Sequence, residues 1–140
     1  MPDSDGDQMT SDFIAGQWAT LCRSARSNAT RLSEGASSKA AEFIDTELGR
    51  FCEVEPPFDK ESLESAYTQR MALSARLTAI SRADAMAQAH PVAAPEIHSR
   101  LGQFCQDDLP HTSDAFLDMQ LQNIELTKAV VAICRSNHGK

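Results

Sequence analysis

The sequence predicts an all-α protein, a compact bundle of four to five helices that contains a duplicated helical hairpin over residues 44–84 and 97–137. Three observations carry that expectation. Apolar residues recur at steps of three and four through most of the chain, the spacing of one helix face. Aromatic residues make up 6% and the 41% apolar share leans on alanine, a composition poor in strand-forming side chains. Finally, LGRFC at 48–52 returns as LGQFC at 101–105, and a proline follows each at the same distance, Pro57 and Pro110.

Residues 1–9 are polar, acidic and Gly-containing, and are expected as a disordered acidic tail ahead of a single helical-bundle domain over 10–140. Helix formation is expected from Thr10, with Ile14, Trp18, Leu21, Ala25 and Leu32 on one face. A second stripe, Ile44, Leu48 and Phe51, is out of phase with the first, and SEGASS at 33–38 is where the phase changes. Glycine and serines weaken a helix there and can cap a new one, so residues 10–33 and 37–54 form either one kinked helix or two. Pro56 and Pro57 end this region, and Asp59 is the expected N-cap of a helix over 60–89 that carries Leu63, Ala66, Tyr67, Leu73, Leu77 and Ile80. Pro91 and Pro95 bound its far end, and Pro95 suits the first turn of a short helix over 95–107. After DDLPHTSD, Thr112 or Ser113 caps a last helix over 113–136 that carries Phe116, Met119, Ile124, Leu126, Val130 and Ile133.

Laid without a gap onto residues 97–137, residues 44–84 match Ile44 to Ile97, Leu48 to Leu101, Gly49 to Gly102, Phe51 to Phe104 and Cys52 to Cys105. Beyond the turn, Leu73 meets Leu126 and Ile80 meets Ile133. Each hairpin has an apolar face that it cannot bury alone, so the two are expected to pack together. Gly49 and Gly102 would let a neighbouring helix approach closely, Phe51 and Phe104 would fill the core, and Cys52 and Cys105 would serve as small inward-facing fillers.

A formal charge of −7, much of it on Asp3, Asp5, Asp7 and Asp12, argues against non-specific nucleic-acid binding, which depends on Lys and Arg neutralising phosphates. Nothing in the sequence approaches the ~18 consecutive apolar residues of a membrane span. The polar N-terminus lacks the basic start and apolar stretch of a Sec-type signal, so the default expectation is a cytoplasmic protein with reduced thiols. A secretion route that reads a polar N-terminus fits the same residues. The cysteines at 22, 52, 105 and 134 form no CxxC pair, and the histidines at 90, 98, 111 and 138 are scattered, so neither a metal site nor another cofactor is expected.

No nucleophile elbow, Walker loop or dinucleotide fingerprint occurs, and the chain is not expected to be an enzyme. The expected function is non-catalytic binding of a partner protein or of an apolar or amphipathic surface, as in an adaptor, a secretion chaperone or a phasin-like coat. Trp18 and Leu21, set among basic residues outside the repeat, are the expected pairing surface, with a homo-oligomer as one outcome. An alternative rests on His98-Ser-Arg-Leu-Gly102, which resembles in altered order the signature of histidine phosphotransfer domains, a His followed by Lys and Gly on an exposed bundle helix. Leu101 stands at the Lys position and Arg100 precedes it; the resemblance implies His98 as phosphoacceptor.

Overall fold

The computed structural model describes residues 2–137, with side chains from Thr10 to Ser136. Five helices follow in order: α1 (Pro2–Ser33), α2 (Ser38–Cys52), α3 (Lys60–Ala89), α4 (Ala94–Phe104) and α5 (Ser113–Asn137). No strand occurs among the described residues. The backbone of α1 is helical from Pro2, ahead of Thr10; the expected acidic tail falls on residues whose side chains lie outside the described ones.

The boundaries follow local chemistry. Gly35 takes the left-handed conformation at φ +78°, which only glycine adopts at no steric cost, and it separates α1 from α2. Two helices, not one kinked helix, therefore fill 10–54. Ser37 starts the second by accepting from the Ala40 N–H at 3.2 Å. Asp59 caps α3 in a reciprocal box with Ser62, whose N–H donates to Asp59 Oδ1 at 2.8 Å while its hydroxyl accepts from the Asp59 N–H at 3.1 Å. Pro95 sits in the first turn of α4, and Thr112 caps α5 through the Ala115 N–H at 3.2 Å.

Helix α3 is the axis of the bundle and packs on all four others, which wrap it in the order α1, α2, α4, α5. Polar contacts give the directions. Tyr67 reaches Gln17 and Gln88 reaches the Gly35 carbonyl, so α1 runs parallel to α3. Arg76 meets Glu47 and Asp84 meets Ser37, so α2 runs antiparallel; α4 does likewise, through His98 with Asp84 and Arg76 with the Asp107 carbonyl just beyond its end. The core is built from Ile44, Phe51, Leu73, Leu77, Ile80, Ile97 and Leu101, all fully buried.

The positions paired by the sequence repeat share their environment at the main core sites: Ile44 with Ile97, Phe51 with Phe104, Leu73 with Leu126 and Ile80 with Ile133 are all buried. The glycines behave otherwise and correct the expectation of close helix contacts. A Cβ built on Gly102 would have as its nearest neighbour Phe43 Cζ at 3.9 Å, ordinary van der Waals contact, and one on Gly49 would meet only the side chain of Glu53, one turn on in its own direction, at 3.3 Å. No neighbouring helix presses on either. Gly102→Ala is accordingly expected to raise stability by up to ~1 kcal/mol through helix propensity, with a smaller gain or none at Gly49, where Glu53 must give way. Chemical denaturation of the two variants against the parent checks the sign; a lowered midpoint for Gly102→Ala would show a packing constraint absent from this geometry.

Candidate functional site

Three places gather chemistry-bearing side chains: two buried polar nodes and one outward helix face. The first node joins α2, α3 and the end of α4. Glu47 is 1% exposed and Arg76 2%, and Arg76 donates to Glu47 Oε2 at 2.9 Å while Arg50, half-buried, donates to Oε1 at 2.8 Å. Both guanidiniums also reach the chain beyond α4. Arg76 donates to the carbonyls of Asp107 at 2.7 Å and Asp108 at 3.2 Å, and Arg50 donates to those of Cys105 and Asp107. These carbonyls lie in the turn after α4, outside any backbone ladder, and the two guanidiniums supply the donors that a buried carbonyl requires. Burial pushes the Glu47 carboxyl above its ordinary range, against the charge and hydrogen bond of Arg76 and the charge of Arg50. Apart from Arg76 Nε, which is buried with no hydrogen-bond partner among the described residues, these donors and acceptors face one another, so the node acts as a structural clamp.

The second node centres on Asp84 of α3, which is 2% exposed. It accepts from the Ser37 hydroxyl at 2.6 Å, the Ser37 N–H at 2.9 Å and Gln88 Nε2 at 2.7 Å, and His98 Nε2 lies 3.4 Å away. Burial pushes the Asp84 carboxyl up, but the Ser37, Gln88 and His98 hydrogen bonds outweigh it and hold the group below its usual range. The His98 side chain is 19% exposed and lines a shallow hollow with Lys39, Phe43 and Gly102. A phosphoryl group carried on Nε2 would place its negative charge against Asp84, so this geometry lends the phosphotransfer alternative no support.

Cys105 is buried and Cys52 half-buried, and burial pushes both thiols up to about 12, helped at Cys52 by the Cys22 thiol and at Cys105 by the charge of Glu47. At neutral pH both are thiols, the unreactive form. Among the described residues no three His, Cys, Asp or Glu side chains are grouped to hold a metal ion, and no helix is long and apolar enough to cross a membrane.

Trp18 and Leu21, expected as a pairing surface, are partly buried and pack against the core. The Trp18 ring lies 5.1 Å from that of Phe51, tilted by 51°, so it attaches α1 to α2. The outward apolar face lies elsewhere. On α5, Met119, Leu126, Val130 and Ile133 point inward, while Leu117, Leu121 and Ile124 are 59%, 54% and 52% exposed and Val131 is exposed beyond them. With Lys128 and Arg135 these residues follow alternating steps of four and three along the far side of the helix. Of the residues expected together on this helix, Phe116, Met119, Leu126, Val130 and Ile133 do face the bundle, whereas Ile124 lies on the opposite face with Leu117, Leu121 and Val131, whose four-three spacing is legible in the sequence.

No protein-family model, curated protein or solved structure matches the chain.

Proposed function

We propose that the chain is a non-catalytic binding module that uses the outward face of α5 to engage an amphipathic partner surface. The observation that supports this reading is the exposed row Leu117, Leu121, Ile124 and Val131, on a helix whose opposite side is already buried in the bundle. A helix needs one apolar stripe to attach to its own core, and a second, opposite stripe adds nothing to that attachment. Contiguous exposed apolar surface rimmed by polar groups marks interaction sites in folded proteins. The charged residues here are mixed, with Asp118 and Glu125 exposed beside the stripe and Lys128 and Arg135 exposed within its later half. Adaptor, secretion-chaperone and coat roles share this mode of action, and a cytoplasmic setting is part of the same proposal.

The test is affinity capture from the source cell with the full chain as bait, beside a Leu121→Glu/Ile124→Glu variant whose circular dichroism matches the parent. A stoichiometric protein or apolar granule held by the parent and lost by the variant is the expected result. Equal recovery by both baits would remove α5 from the function.

A further inference from the structure

Resting on that reading of α5, we infer that the occupant of its outward face is a second copy of this chain, paired antiparallel about a two-fold axis that crosses α5 near Ile124. Three features point to this occupant. The first is the spacing: Leu117, Leu121, Ile124, Lys128, Val131 and Arg135 advance by alternating four and three residues, the seam of a two-helix coiled coil. The seam spans about 21 Å from Leu117 to Val131 at 1.5 Å per residue.

The second is charge. The described charged side chains in the first half of α5 are Asp114 and Asp118, Glu125 stands at its midpoint, and Lys128 and Arg135 stand on the seam in the second half. In a parallel pair the basic seam residues would face their own copies. Turning one helix around an axis near Ile124 instead sets the acidic end of each copy beside the basic end of the other, and sets Leu117 of one near Val131 of the other. Helix dipoles in that arrangement also oppose, with the positive N-terminal end of each helix beside the negative C-terminal end of the other. A self-complementary patch of this kind is what an isologous two-fold interface requires.

The third is internal to the chain. Under the repeat, the positions of α3 that correspond to Leu117, Leu121, Ile124 and Val131 are Glu64, Thr68, Met71 and Thr78. The core pairs Leu73 with Leu126 and Ile80 with Ile133 are kept, yet three of these four positions are apolar only in α5. Apolar residues on the outward face of α5 add nothing to the core that the two helices build.

The seam is shorter than a standard protein interface, so association is expected to depend on concentration. Sedimentation of the full chain across a concentration series should show mass rising from 15.3 kDa toward twice that value, and Ile124→Glu should hold it at the monomer with unchanged circular dichroism. Orientation is read by mild oxidation. Leu117→Cys and Val131→Cys variants mixed together should cross-link to each other, with each alone giving little product. A parent chain that stays monomeric at every concentration, an Ile124→Glu variant that still dimerises, or cross-linking of each variant alone in preference to the mixture would each overturn the antiparallel pair. Partner capture by the Leu121→Glu/Ile124→Glu variant is scored separately: if the parent is monomeric and still holds a partner that this variant loses, the self-pairing fails and the binding reading stands.

Discussion

Arg76→Ala is expected to destabilise the protein by about 3–5 kcal/mol, because it leaves Glu47 buried without its main partner. Glu47 is enclosed by the junction of α2, α3 and the α4 terminus, and Arg76 is as deeply buried. The same change strands the carbonyls of Asp107 and Asp108 that Arg76 holds at 2.7 and 3.2 Å. Glu47→Ala should cost a similar amount by leaving the Arg76 charge unpaired, although Arg76 keeps its carbonyl contacts. Replacing both by apolar residues of similar volume, Glu47→Leu with Arg76→Met, should recover part of the loss, since removing a whole buried pair is far milder than breaking it. Recovery stays incomplete because methionine cannot donate to the α4 terminus. Equilibrium denaturation of the four proteins checks the order. Single variants within ~1 kcal/mol of the parent would show that the node holds nothing together.

Asp84→Ala is expected to cost about 2–3 kcal/mol, the scale of a hydrogen bond to a charged group plus the neighbours left unpaired. It frees the Ser37 N–H and hydroxyl and Gln88, and so loosens the turn that starts α2. The pH dependence has a definite sign. The folded-state carboxyl titrates below its ordinary value of 3.8, so its contribution is fully present above about pH 4–5 and is lost as pH falls through the lower folded value. Asp84→Asn, which keeps the shape but not the charge, should be less stable than the parent at neutral pH and should lose less stability on acidification below pH ~4. Parallel acid limbs for the two proteins would exclude Asp84 as a source of acid sensitivity.

Much of the architecture was legible because it is local. Pro56, Pro57 and Asp59 act within a few residues of themselves, and so do Gly35, Ser37 and Thr112, which is why the helix limits agree with the structure to within a few residues apart from the start of α1. Periodicity identified the stripes but not always their direction. Trp18 is a large apolar residue among arginines, a pattern that suits a surface or a core edge equally, and only the position of Phe51 at 5.1 Å decides for the core edge. Gly49 and Gly102 carried the same ambiguity, since a glycine repeated in a motif reads as a packing device until the space above its Cα is known.

The sequence by itself determined the helical class, the proline breaks, the Asp59 cap and the repeated core of Ile44, Phe51, Leu73 and Ile80 with their later counterparts, because those depend on contacts between near neighbours and on helical period, while the split of residues 10–54 into two helices was settled by the conformation of Gly35. Tertiary structure decided which faces the bundle covers and which polar groups it encloses. Glu47 and Arg76 are 29 residues apart and Ser37 and Asp84 are 47, separations at which no spacing rule pairs two side chains. The same reason governs α5: among the described residues it is flanked by α3 and α4 on its inner side and by no other helix outside, so Leu126 is core and Leu121, five residues earlier on the same helix, is surface.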